Sequence, residues 1–171
     1  ARAAGSREGT VRGIIAFYYP GSANGKRAAG IFVRNLKDIY QLPDKVYTSA
    51  TTALGEVRQP YMPSVLLELG YHDNTADALW VENNLEAIAA NLVLSLTEYF
   101  GLPFVVPLTP WRGTVRTQGS PLHLRAAPAL NSAVVTTMPS GAPVTVYGRY
   151  QDWYTVGYNG LLGYAFADYI T

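Results

Sequence analysis

Residues 60–74, Pro60-Tyr-Met-Pro-Ser-Val-Leu-Leu-Glu-Leu-Gly-Tyr-His-Asp-Asn74, decide how the first half of this chain is read. Between Pro63 and Gly70 lies a nearly unbroken apolar run, the pattern of a short strand buried on both faces. The run holds one ionisable side chain, Glu68. A carboxylate near the end of a buried strand has to be paired, bound to a metal or protonated. All three conditions recur at catalytic sites, and they also occur in purely structural networks. The same glutamate can instead turn outward and cap the next turn.

Working outward, residues 14–19 are β-branched and aromatic, a strand that Pro20-Gly21 stops. Ser22 then caps a helix whose apolar positions Ala28, Ile31, Phe32, Leu36 and Ile39 recur at helical spacing. Lys26, Arg27, Arg34 and Lys37 lie off that stripe and read as a solvated face. Residues 46–48 suit a short strand, and a loop of small residues runs on to Gly55. On the far side of the opening stretch, Asp73 or Thr75 caps one helical segment over 76–99, with an apolar face that includes Leu79, Leu85, Ile88, Leu92 and Leu96. Strands alternating with helices predict an α/β unit with a partly parallel sheet. Ligands of such a sheet gather beyond the carboxyl ends of its strands, where Glu68 is expected.

Residues 101–110 hold Pro103, Pro107 and Pro110 and no usable periodicity, so they read as a stiff linker. Beyond it the pattern turns to short strands over 113–117, 122–125, 133–138, 144–150, 153–158 and 162–166, separated by Gly, Pro, Asn and Ser turns. Asn159-Gly160 is a two-residue hairpin signal, because both positions tolerate φ > 0. A small β-barrel follows. The expected division is 1–103, an α/β part; 104–111, the linker; and 112–171, the barrel.

The 171 residues are 49% hydrophobic and 15% charged, which excludes a disordered or fibrous chain. A net charge of +1 provides no basic field for nucleic acid. With no cysteine there is no disulfide, no thiol catalysis and no thiolate-bound zinc. The apolar stretches at 14–19 and 87–96 are too short or interrupted to span a bilayer. No signal peptide is visible at Ala1, and an opening without Met suggests a mature or excised segment.

Three stretches carry a family resemblance. Pro63-Ser-Val-Leu-Leu-Glu-Leu-Gly-Tyr-His-Asp-Asn74 resembles the late motif of zinc-dependent N-acetylmuramoyl-L-alanine amidases, Phe17-Tyr-Tyr-Pro-Gly-Ser-Ala-Asn-Gly-Lys-Arg27 resembles their strand-to-helix segment, and residues 87–103 their closing helix with its Tyr-Phe-Gly-Leu-Pro ending. The resemblance covers residues 8–104. It implies a peptidoglycan hydrolase that cleaves the lactyl amide between N-acetylmuramic acid and L-alanine, with Glu68 as the catalytic carboxylate and zinc as cofactor. Arg58, His72 and Asn74 are the candidates for holding substrate.

The family's zinc ligands, His, Glu and His, precede the strand matched here to residues 14–19. The two histidines of this chain, His72 and His123, stand in different expected domains, so no metal ligand is assigned within it and the chain as it stands is expected to be inactive.

The second half resembles bacterial SH3 domains through Leu122-His-Leu-Arg-Ala-Ala-Pro128, Pro139-Ser-Gly-Ala-Pro143, Trp153 and Tyr158-Asn-Gly-Leu-Leu-Gly-Tyr164, with His123 where that family usually has Asn. This implies a partner among cell-wall peptides and a secreted or wall location, with neither nucleic acid nor membrane as partner. The alternative is a noncatalytic wall-binding module in which the amidase-like part is structural.

Overall fold

Strand β1 (Ile14–Tyr18) is the middle strand of the first sheet, and its opening Ile-Ile-Ala is buried, as the β-branched run requires. β2 (Val46–Ala50) pairs with it in parallel and β3 (Val65–Glu68) antiparallel, giving the order β2-β1-β3. The computed structural model describes residues 1–3, 5 and 9–171. Part of the opening stretch 1–12, whose small, polar and basic residues suit a loop, therefore lies outside the described residues.

After Pro20-Gly21 breaks β1, helix α1 (Ala23–Lys37) begins where Ser22 Oγ accepts the Gly25 amide at 3.0 Å. Its apolar stripe meets β1, β2 and helix α4 (Leu85–Phe100) in a core of Ile14, Phe32, Leu36, Tyr40, Val46, Trp80 and Ile88. The cations expected only to face solvent do more than that. Arg27 stacks 4.1 Å over the Tyr99 ring, and Arg34 pairs with Glu98, whose carboxyl this pairing and Asn35 hold below its ordinary value. Between them a buried polar seam joins the two helices, with Asn35 Nδ2 donating to Ser95 Oγ at 3.1 Å and Asn91 Nδ2 to the Asn35 carbonyl at 2.8 Å.

Residues 76–99 are two helices rather than one. Helix α3 (Thr75–Asn83) stops at Asn84, whose φ of −126° and ψ of 21° are not helical and whose Nδ2 donates to the Trp80 carbonyl at 2.8 Å. Asn84 then opens α4, which ends in a left-handed Gly101 with Leu102 N donating to Thr97 O at 2.7 Å. The short helix α2 (Gly55–Arg58) precedes β3.

The chain divides into two units, Ala1–Leu102 and Pro103–Thr171. The second is an antiparallel sheet of six strands: β4 (Val106–Thr114), β5 (Leu122–Arg125), β6 (Val134–Met138), β7 (Pro143–Tyr150), β8 (Trp153–Tyr158) and β9 (Leu161–Phe166). Their order is β4-β7-β8-β9-β5-β6. Val115, Leu124, Met138, Val146, Val156 and Ala165 meet in one core, so the sheet wraps around it without pairing its end strands, an open relative of the expected barrel. At the β8–β9 turn, Asn159 and Gly160 both have positive φ, 49° and 78°.

The stretch read as a linker is mostly β4. Pro107 lies opposite Gly148 of β7, and the register shifts between Pro107 and Trp111. Prolines are tolerated here because β4 is an edge strand with one unpaired side. Gly148 admits the strand closely: a Cβ there would lie 2.9 Å from the Val106 carbonyl oxygen. Limited proteolysis is therefore expected to cut within 101–105, between α4 and β4. N-terminal sequencing of the released fragment checks this, and cleavage at 107–111 with a stable product would contradict the pairing of β4.

Candidate functional site

Glu68 ends β3, opposite Ile15 of β1. β3 is an edge strand and half-buried along its length, so the strand expected to be covered on both faces is not. The apolar run is real, but an edge position leaves one side of the strand open, and Glu68 reaches solvent. Because β3 runs antiparallel to β1, its carboxyl end lies beside the amino ends of β1 and β2. The crevice rule of parallel sheets thus pointed to the wrong end of the sheet for this residue. Among the described residues the Glu68 side chain has neither a hydrogen-bond nor an ion-pair partner. It is a half-exposed carboxylate at the end of an edge strand.

The loop after Glu68 is anchored from below by a residue that the sequence reading passed over. Asp77 is fully buried and accepts four hydrogen bonds: Tyr40 Oη at 2.6 Å, Arg12 Nε at 2.9 Å, the Gly13 amide at 3.0 Å and the Tyr71 amide at 3.1 Å. Burial would raise the Asp77 carboxyl, yet the donors, led by Tyr40 and the Gly13 amide, hold it below the ordinary carboxylate range. The Tyr40 hydroxyl moves the other way, pushed up by burial and by its bond to Asp77. Gly13 is required here, since its φ is 132° and a Cβ would lie 2.4 Å from the Lys45 carbonyl oxygen. In the sequence Asp77 reads as an ordinary acidic residue in the first turn of α3, with no local mark of its burial.

Asn74, rather than Asp73 or Thr75, caps α3. Its Oδ1 accepts the Ala76 and Asp77 amides at 3.1 and 3.3 Å, and its Nδ2 donates to the Gly9 carbonyl at 2.8 Å. Asp73 instead accepts the Gly9 amide at 2.9 Å and the Ala3 amide at 3.2 Å, and these bonds, the Gly9 amide first, hold its carboxyl below the ordinary value. His72 is exposed on the same loop. Arg58 ends α2 and donates to the Thr52 carbonyl at 3.3 Å. Glu68, His72 and Asn74 thus share one short connection, whereas Arg58 belongs to a separate segment.

With this geometry in view, the chain can be set beside known proteins. The family model described as N-acetylmuramoyl-L-alanine amidase matches residues 3–98, more than half of the sequence. The chain belongs to the N-acetylmuramoyl-L-alanine amidase family. A second model, the bacterial SH3 domain, matches residues 120–171, the part that carries β5 to β9, and all of β4 lies ahead of the match.

Two solved structures share the fold. One is the CwlD amidase from Clostridioides difficile in complex with the GerS lipoprotein, at 20% identity over 54% of this chain and 48% of that one, with a TM-score of 0.50. The other is an N-acetylmuramoyl-L-alanine amidase from Clostridium difficile 630, at 16% identity over 58% of this chain and 54% of that one, also with a TM-score of 0.50. The chain spans about half the length of these amidase structures. No curated protein matches it.

The amidase family is generally zinc-dependent, which invites a test of the residues present. Among the described residues no three His, Cys, Asp or Glu side chains come together as a metal site. His72 and His123 stand in different units. The described residues do not fit a zinc centre of the usual three protein ligands.

Proposed function

We propose that this chain carries the Glu68-bearing part of an enzyme that cleaves the amide between the lactyl group of N-acetylmuramic acid and L-alanine, joined to a domain that holds cell-wall peptides. What supports the reading is the family match over residues 3–98, together with a half-exposed carboxylate at the end of β3 that has no side-chain partner among the described residues. The chemistry that this chain can supply is proton transfer. The Glu68 carboxylate takes a proton from the attacking water and passes it to the amine nitrogen as the carbon–nitrogen bond breaks. His72, on the same loop, and Arg58 are candidates to hold the peptide; Asn74 adds a contact only if its cap is kept. Asp77 is a positioning residue, because it fixes the Tyr71 amide and with it the loop after Glu68.

The near-neutral charge, +1, fits a peptide or glycan partner better than nucleic acid. No described helix is long and apolar enough to cross a membrane. A wall substrate implies a location on the outer side of the cell.

The intact chain, incubated with purified bacterial cell walls and pelleted, is expected to be retained with the walls, while a double-stranded DNA resin leaves it in solution at physiological salt. A folded chain that stays in the supernatant of the wall pellet would overturn the wall-binding half of this reading.

A further inference from the structure

The C-terminal unit carries a groove of about 710 Å³ with an uneven charge lining. Its apolar part is a row of rings, Trp153 to Phe166 at 5.4 Å between centroids and Phe166 to Tyr169 at 6.3 Å. Its polar part brings Arg116, Arg125 and His123 together with a single acid, Asp168.

Neither guanidinium has a carboxylate partner among the described residues. Arg116 Nε donates to Thr171 Oγ1 at 2.9 Å, and Arg125 donates to the Ser132 carbonyl at 2.8 Å and to His123 Nδ1 at 3.1 Å. Arginine can only donate, so His123 accepts at Nδ1 and keeps its Nε2–H as a further donor. Thr117, also in the lining, has a buried hydroxyl with no hydrogen-bond partner among the described residues. Both arginines are therefore held in place by neutral acceptors with their charge unspent.

We propose that this groove binds an acidic peptide, with an apolar side chain resting on the Phe166 and Tyr169 rings and free carboxylates held by Arg116 and Arg125. The inference rests on the wall-binding reading and adds to it the chemical class of the ligand. Guanidinium groups match carboxylates bidentately, which gives both orientation and strength. A uniformly anionic wall polymer fits less well, because Asp168 repels an unbroken run of negative charge, whereas a peptide brings an amino group that can donate to Asp168.

The test is a calorimetric titration of the intact chain with a synthetic peptide that bears a free amine, an apolar side chain and two free carboxylates. The same peptide with both carboxylates amidated and a soluble polyglycerol phosphate are run beside it. Arg116→Gln and Arg125→Gln are each expected to weaken binding of the free-acid peptide about tenfold or more. Arg112→Gln removes the same charge outside this groove and is expected to leave binding unchanged.

Amidation should cost at least as much as either substitution. Equal binding of the amidated peptide, an equal loss with Arg112→Gln, or tighter binding of the phosphate polymer would each overturn the assignment. Wall pelleting of the same variants separates the two ideas. If the intact chain and the double arginine variant are retained equally, the wall-binding reading stands and the groove assignment falls. If no variant is retained and no peptide binds, both fall.

Discussion

Glu68→Gln, made in an active amidase that contains this chain and assayed on muropeptides with zinc supplied, is expected to lower amide cleavage by about 10² to 10⁴-fold while the protein melts at an unchanged temperature. Glutamine keeps the size and one hydrogen-bonding oxygen of the side chain but cannot carry a proton between water and the leaving nitrogen. The loss corresponds to about 3 to 5 kcal/mol of transition-state stabilisation. Stability should not follow, because Glu68 is half-exposed and has no side-chain partner among the described residues. Mass spectrometry of the released stem peptides reads the first quantity and thermal unfolding the second. Activity within a few-fold of the parent would remove Glu68 from the chemistry and favour the alternative of a noncatalytic module.

Asp77→Asn should behave in the opposite way, with a large effect on stability that reaches activity only through the fold. The substitution removes a buried charge that balances Arg12 and turns one of two accepting oxygens into a donor facing Tyr40, Gly13 or Tyr71. Breaking a buried pair from one side typically costs about 3 to 5 kcal/mol. For a unit of roughly 100 residues, even the lower figure lowers the melting temperature by about 12 °C or more. Near-UV circular dichroism of the intact chain, which reports Tyr40 and Trp80 packed edge to face at 4.8 Å, follows the transition. An unchanged midpoint would mean that the four bonds to Asp77 contribute nothing net.

The sign of the pH dependence follows from the same residue. The folded Asp77 carboxyl lies below its unfolded value of about 3.9. Its contribution is therefore fully present above that pH and is lost as pH falls through the folded value. Urea midpoints measured from pH 7 down to pH 3 should drop for the parent protein and drop less for Asp77→Asn.

Elements governed by neighbours along the chain are legible in the sequence alone. Ser22 capping α1 and the Asn159-Gly160 turn both depend on backbone conformations that one or two residues impose locally. The motif around Glu68 is legible for the same reason, as an apolar run with a single charge. Three features are decided only in three dimensions. β3 takes an antiparallel edge position, which opens Glu68 to solvent and turns it to the other end of the sheet, and strand direction depends on where the chain returns rather than on the residues of the strand.

Residues 106–114 form a strand despite Pro107 and Pro110, because β7 offers an unpaired edge and a glycine at 148, neither of which is visible from the prolines themselves. Asp77 has the sequence context of an ordinary first-turn aspartate. Its four donors come from residues 12, 13, 40 and 71, and only the folded chain brings them within 3.1 Å of one carboxylate. Burial and long-range pairing are properties of the packed chain, so a residue whose role rests on them carries little local signature.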